Sequence, residues 1–205
     1  MPTDRPADTR DAAYTDRLTR LSGVWWKRML DVQAPYRWNL RRLGLGFTLD
    51  VGCGLGRNLV NLGGNGVGVD HNAESIRTAR ASGLIAFTPE EFRQSDYATS
   101  GRFDSLLLAH VAEHLPEEDG VALLDEYAGF VRPGGRIVVI CPQEKGYTTD
   151  ASHVRFLDFD EMHRLCEKVG GVVERSFSFP FPRPVGKVFA YNEFVVVART
   201  EVAAA

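Results

Sequence analysis

Apolar and polar residues alternate along this chain with a period that changes near residue 45. From Tyr14 to Leu43 the residues Leu18, Leu21, Trp25, Met29 and Val32 recur every three or four positions, the spacing of one helix face. Pro35 interrupts that pattern because it lacks a backbone N–H, and a second short helix is expected over Tyr36–Leu43. Gly44 and Gly46 close the segment. Beyond them short apolar runs take over, and strands are predicted at Phe47–Val51, Gly66–Val69, Leu84–Phe87, Phe103–Ala109 and Arg136–Cys141. Helical spacing predicts helices at Arg57–Leu62, Ala73–Ser82, Val121–Phe130 and Asp158–Val169, with a small helical piece after the Thr88-Pro89 turn. Arg132-Pro133-Gly134-Gly135 reads as a turn. Val172–Ser178 and Phe194–Arg199 have no helical pattern between them, so they should pair antiparallel.

Strand–helix alternation of this kind predicts an α/β fold, a Rossmann-like doubly wound sheet with ligands at the carboxyl ends of its strands. Residues 1–44 are read as an N-terminal helical cap on the same domain, with 45–200 as its body. A chain of 205 residues has room for one sizeable core. The net charge of −3 gives no general pull toward nucleic acid, although residues 1–44 hold nine Lys/Arg against five Asp. That excess suits either the solvated face of an amphipathic helix or a surface for an anionic substrate or RNA. Cys53, Cys141 and Cys166 are isolated and form neither a disulfide framework nor a zinc spacing. No apolar run reaches membrane-spanning length and the N-terminus is not signal-like, so a cytoplasmic protein is expected.

The densest chemistry lies at Thr48-Leu49-Asp50-Val51-Gly52-Cys53-Gly54-Leu55-Gly56-Arg57. An apolar run ends in an acid, and three glycines at alternate positions lead into a helix. This arrangement lets a nucleotide-like ligand approach bare backbone at a helix start. Gly-x-Gly-x-Gly is tighter than the Gly-x-Gly-x-x-Gly of dinucleotide folds and suits a ligand without a pyrophosphate, with S-adenosylmethionine the best candidate. Asp70 ends the second strand 18 residues after Gly52, where an acid can reach a ribose diol.

Two further stretches complete the pattern: Phe103-Asp104-Ser105-Leu106-Leu107-Leu108-Ala109-His110-Val111-Ala112-Glu113-His114-Leu115, and Val131-Arg132-Pro133-Gly134-Gly135-Arg136-Ile137-Val138-Val139. In this order and spacing the four pieces resemble the class I S-adenosylmethionine-dependent methyltransferases, within the small-molecule subgroup that includes ubiquinone/menaquinone and sugar O-methyltransferases. The resemblance covers about residues 47–200. It implies a seven-stranded sheet with the last strand antiparallel, and methyl transfer as the activity. It implies that Asp50, Gly52, Cys53 and Gly54 cradle the methionine part of the donor, that Asp70 binds the ribose hydroxyls, and that His71 lies beside the adenine. It also implies that Ala109, at the end of the fourth strand, lies against the donor. For the adenine clamp, distance from the third strand favours Thr88 to Phe92, whereas the residue pair Asp96-Tyr97 matches by type.

Methyl transfer to a hydroxyl needs a base. His110, at the end of the fourth strand, departs from the acid or amide that many relatives carry there. Glu113 and His114 match the family's Glu-His, and His153 falls in a segment resembling its His-x-Arg-Phe. His153 or His110 is the expected base. Trp26, Tyr36, Tyr147 and Arg155 are the expected acceptor contacts, aromatic faces suiting a sugar or an apolar ring. The expected acceptor is a carbohydrate or another small polyhydroxylated molecule or glycan. A C- or N-methyltransferase on a quinone, lipid or amine is the alternative, followed by a donor-binding protein without transferase activity. A divalent metal such as Mg²⁺ is kept open without being favoured, its ligands unassigned. A homodimer is likewise open, and nucleic acid is not an expected partner.

Overall fold

The computed structural model describes residues 33–201. The expected helix beginning at Tyr14, with Trp25, Trp26 and Met29, lies outside the described residues. Helix α1 (Ala34–Arg42) contains Pro35 within its first turn, where a missing N–H costs nothing. Then follow β1 (Thr48–Val51), α2 (Arg57–Asn61), β2 (Gly66–Val69), α3 (Ala73–Ala81), β3 (Ala86–Phe87), α4 (Pro89–Arg93) and β4 (Phe103–Ala109). A short 3₁₀ turn at Ala112–His114 precedes α5 (Glu117–Ala128), β5 (Val131–Pro142), α6 (Glu144–Tyr147), α7 (Phe159–Lys168) and β6 (Gly171–Phe179). A second 3₁₀ turn at Arg183–Lys187 leads to β7 (Glu193–Thr200).

The seven strands form one sheet in the order β3-β2-β1-β4-β5-β7-β6. Strands β1 to β5 pair parallel, and β7 runs antiparallel to both β5 and β6. The chain winds outward in both directions from the β1/β4 pair, so the crevice for a ligand opens where those two strands end. Alternation along each strand covers the sheet on both sides. Leu106 and Leu108 pack with Leu49, Ile137, Val139, Phe194 and the apolar stripes of α5 and α7. Leu107 and Ala109 face the other way, against Leu40, Leu43, Val138, Ile140 and Val195. Among the described residues no helix is long and apolar enough to cross a membrane.

Three local expectations need correction. Helix α5 begins at Glu117 rather than Val121, because Pro116 starts it and its first turn, Glu117, Glu118 and Asp119, is acidic and carries no apolar signal. The Pro-Gly-Gly segment does not precede β5 but bulges inside it: Phe103 pairs with Val131 while Ser105 pairs with Arg136. The connection between β6 and β7 includes the 3₁₀ turn at Arg183–Lys187, held by a two-pronged pair from Arg183 to Glu144 at 2.8 and 2.5 Å.

Candidate active site

The turn after β1 is shaped for close approach. Gly52, Gly54 and Gly56 all have positive φ (74°, 53° and 80°). At Gly52 an added Cβ would lie 2.3 Å from the Val111 side chain, so this turn packs directly under the segment that follows β4. At Gly54 nothing lies within 4 Å of such a Cβ, leaving the middle of the turn open. Asp70 fixes this middle. Its Oδ2 accepts from Gly54 N at 2.8 Å and its Oδ1 from Asn72 N at 2.8 Å, while Asn72 caps α3 by accepting from Glu74 N and Ser75 N. The half-exposed His71 ring sits beside it, Nδ1 3.9 Å from Asp70 Oδ1. Asp50 is fully buried beneath the turn. Asn58 Nδ2 donates to its Oδ1 at 3.4 Å, and Oδ2 has no hydrogen-bond partner. Burial, with a smaller push from Asp70, raises its carboxyl to about 7. Cys53, buried beside both acids, has its thiol pushed up for the same reason, burial first.

The adenine expectation fares less well. Phe92 has no exposed surface and packs in the core against Phe103, Tyr127 and Phe130, so its ring is not a face that a ligand could reach. Its position on the inner side of α4 explains this. Thr88 lies at the end of β3, but its hydroxyl accepts from Glu91 N and the Glu91 carboxylate accepts from Thr88 N, a capping box that starts α4. Tyr97, of the rival pair, packs on Phe47 and Phe87.

Past β4 the chain turns sharply at His110, which is non-glycine yet has φ 58°. Its ring lies between two carboxylates: Nε2 is 2.9 Å from Glu193 Oε1 and Nδ1 is 3.3 Å from Glu113 Oε1. Desolvation opposes charge on the imidazole, but bonding to Glu113 and Glu193 outweighs it and lifts the pKa to about 10. Glu113 responds in kind: burial pushes its carboxyl up, His110 more than compensates, and it stays below the usual range. The two carboxylates favour the charged form of His110, which weighs against its expected role as a base. Because its pKa is raised on folding, the stability it contributes is complete below about 6.5 and fades as pH rises through about 10. In a ring-resonance titration His110 should stay protonated past pH 8. The substitution Glu193→Gln should lower its midpoint by at least about one pH unit. A His110 midpoint near 6.5 in the unaltered protein would contradict this geometry.

His114 and His153 are different. His114 Nδ1 is 3.2 Å from both Ser152 O and Ser152 Oγ, and Ser152 Oγ donates to Asp150 Oδ1 at 2.7 Å. His153 Nδ1 is 2.7 Å from Tyr147 O. A carbonyl only accepts, so each Nδ1 donates to it, and in the neutral ring Nε2 is the atom that keeps the lone pair. Burial, ahead of the neighbouring His153, holds the His114 pKa below its ordinary value and offsets the pull of Glu113. The Tyr147 ring stacks on His153 with centroids 5.2 Å apart.

Of the remaining acceptor residues, Trp26 lies outside the described residues. Tyr36 donates its hydroxyl to Tyr191 O at 2.7 Å and, with Ala109, Asn39, Asn58, His110 and Glu193, lines a cleft of about 30 Å³. Arg155 was expected as an acceptor contact. Its guanidinium instead pairs with Glu161 and lies 3.5 Å from Glu117, tying α7 to α5, which is a further correction. Glu193 was missed by sequence reasoning. The one signal for it is a lone acid opening the otherwise apolar run of β7, whose pairing sets it opposite Pro142 at the carboxyl end of β5. Ser152, which orients His114, had no signal at all.

An open glycine turn over a buried acid, a second acid ending β2, and a histidine-rich segment after β4, all on a 3-2-1-4-5-7-6 sheet, define a class. Residues 49–139 carry a methyltransferase domain of the class I, S-adenosylmethionine-dependent type, for which the cofactor is S-adenosylmethionine. A family model described as a methyltransferase domain matches residues 49–139. The chain is 28% identical over 164 residues to the ubiquinone biosynthesis O-methyltransferase of Bradyrhizobium diazoefficiens, 67% of this chain and 64% of that protein; the match thus spans less than two thirds of that relative's length. The fold is shared with magnesium protoporphyrin IX methyltransferase from Synechocystis with bound SAH (TM-score 0.66, 15% identity, 95% of this chain and 97% of that one). It is also shared with a SAM-dependent methyltransferase from Archaeoglobus fulgidus (TM-score 0.61, 17% identity, 80% and 93%).

Proposed function

We propose that this chain transfers a methyl group from S-adenosylmethionine to a hydroxyl of a small molecule, a carbohydrate or other polyhydroxylated metabolite being the preferred acceptor. The turn suits the donor. The orphaned Oδ2 of buried Asp50 calls for a cationic partner, which the donor's ammonium provides, and the open face of Gly54 leaves room for its methionine part. Asp70 has lone pairs remaining for a ribose diol beside its two backbone bonds. When bound, the donor supplies a methyl group on a sulfonium centre, which needs no further activation. The protein's task is then to align the acceptor, exclude water and take a proton.

The observation that carries an oxygen acceptor is the pair of imidazoles whose Nδ1 atoms are tethered to carbonyls, which leaves Nε2 as the atom to take a proton, a supply of base that carbon or amine methylation needs less. With His110 held as a cation, His153 is the residue to accept the hydroxyl proton. The Tyr147 face beside it and the His110–Glu193 pair suit an acceptor with both CH faces and hydroxyls. The name of the Bradyrhizobium relative supports an oxygen acceptor. To test this, labelled S-adenosylmethionine is incubated with the chain and fractionated cell extract, and the product is identified. The expected product is a methyl ether in the small-molecule or glycan fraction. Label in protein or RNA, or on carbon or nitrogen, would sink this reading.

A further inference from the structure

Three ionisable groups meet where β4 ends, and at most one of them is positive. The His110 ring is paired with Glu193 on one nitrogen, at 2.9 Å, and with Glu113 on the other, at 3.3 Å. With the imidazole charged the trio carries −1, and with it neutral −2, so the sign of the trio does not depend on the ring. Glu113 is buried, whereas Glu193 lines a narrow cleft with Tyr36, Asn58, Ala109 and His110. Among the described residues no lysine or arginine lines that cleft. Its volume of about 30 Å³ leaves little water to screen a carboxylate. The charge is felt on α1 as well: burial first, and then Glu193, push the Tyr36 hydroxyl pKa up. Glu193 is also held in place. Gln143 Nε2 donates to its carbonyl at 2.9 Å, and it pairs with Pro142 on one side and Phe179 on the other. Apart from His110, no group among the described residues donates a hydrogen bond to its carboxylate.

The same cleft adjoins the donor turn. Asn58, on its wall, donates to Asp50 beneath the turn, and Val111, the residue after His110, packs on Gly52. In the donor the sulfur is three bonds from the carbon that bears the ammonium. An ammonium drawn to Asp50 therefore keeps the sulfonium within reach of this cleft. We infer that Glu193, in its trio with His110 and Glu113, is a specificity-determining residue for the donor's charge, favouring the sulfonium over the neutral thioether left after transfer.

Methyl transfer breaks the carbon–sulfur bond with its electron pair left on sulfur and forms the bond from the methyl carbon to the acceptor, whose proton goes to the base. Sulfur thereby loses its positive charge, and the trio loses its attraction for the spent donor. An interaction made with one ligand and not with the other sets the preference between them. The inference rests on the donor site proposed above, and not on the acceptor being an oxygen.

Calorimetric titrations of the full chain with S-adenosylmethionine and with its thioether product, S-adenosylhomocysteine, give the ratio of the two affinities. Glu193→Gln keeps an oxygen that accepts from His110 and removes the charge. Its preference for the donor over the thioether should fall at least about fivefold relative to the parent, close to 1 kcal/mol. Any smaller fall overturns the inference, since a merely structural Glu193 would weaken both ligands by the same factor. Glu193→Asp, which keeps the charge, should lie nearer to the parent ratio than Glu193→Gln does, and the reverse order also overturns it. A second measurement needs no variant. A donor analogue with an amine nitrogen in place of the sulfonium is titrated beside the thioether, from below to above the amine's own pKa. Its affinity relative to the thioether should fall at least about fivefold as the amine loses its proton, and a smaller fall overturns the inference. If Asp70→Ala leaves the affinities of both ligands unchanged, the donor site itself fails. If Asp70→Ala weakens both while Glu193→Gln leaves their ratio unmoved, this inference alone fails.

Discussion

The substitution Asp70→Ala should weaken S-adenosylmethionine binding by at least about a hundredfold in a calorimetric titration. The carboxylate holds Gly54 N with one oxygen and Asn72 N with the other, each at 2.8 Å, and so joins the glycine turn to the start of α3. In the proposed complex it also takes two hydroxyl hydrogen bonds. Bonds to a charged acceptor are worth about 1.5–3 kcal/mol each, so losing both costs about 3 kcal/mol or more, which is about two orders of magnitude in affinity. Freeing two backbone N–H groups should lower stability as well, by about 1–3 kcal/mol. Asp70→Asn separates the effects, since its carbonyl oxygen still accepts one backbone bond while its amide cannot accept the other. Donor affinity within threefold of the parent in Asp70→Ala would show that the ribose is held elsewhere.

Gly54 and Gly66 should respond to substitution in opposite ways. Gly54 has φ 53° and open space where a side chain would go. Gly54→Val therefore costs the fold only the left-handed backbone penalty, about 1–2 kcal/mol. It nevertheless fills the donor's approach, and donor affinity should fall by at least about thirtyfold, or 2 kcal/mol. Gly66, at the start of β2, lies with its missing Cβ 2.4 Å from the Thr48 carbonyl oxygen and 3.1 Å from Leu59. Gly66→Ala pushes a methyl into backbone that cannot yield, and should cost about 1–3 kcal/mol, several degrees in Tm for a chain of this size. Donor affinity of the folded fraction should stay within about threefold. Equal losses of affinity in the two variants would mean that the turn's open face has no part in binding.

Local patterns carried most of the fold and placed the residues expected on the donor side. Asp50, the three glycines and Asp70 sit at strand ends, and strand ends are legible because an apolar run stops there. Helix α5 was placed late because acidic first-turn residues stabilise a helix without contributing to its apolar face. Phe92 was misplaced for a related reason: being two residues from a polar turn says nothing about which way a ring faces, and α4 turns it inward. The acceptor side was harder, since its contacts are long-range. Glu193 meets His110 across 83 residues, a juxtaposition created only by antiparallel pairing of β7 with β5. Together with Glu113 the same partner favours the charged form of His110, and the Glu193 half of that pairing has no trace among His110's neighbours in sequence.

The placement of β7 has a consequence for how the protein is made. Among the described residues strand β6 pairs with no strand but β7, and β7 is translated after it, so nascent β6 has an open edge until β7 slides between it and β5. Glu193 travels on that same final strand. A ribosome-bound chain halted before β7 would already carry the glycine turn, Asp70 and the three histidines, yet His110 would lack one of its two carboxylates. The carboxylate pair around His110, on the proposed acceptor side, is thus the last part to be completed, and it is completed by the same step that closes the sheet.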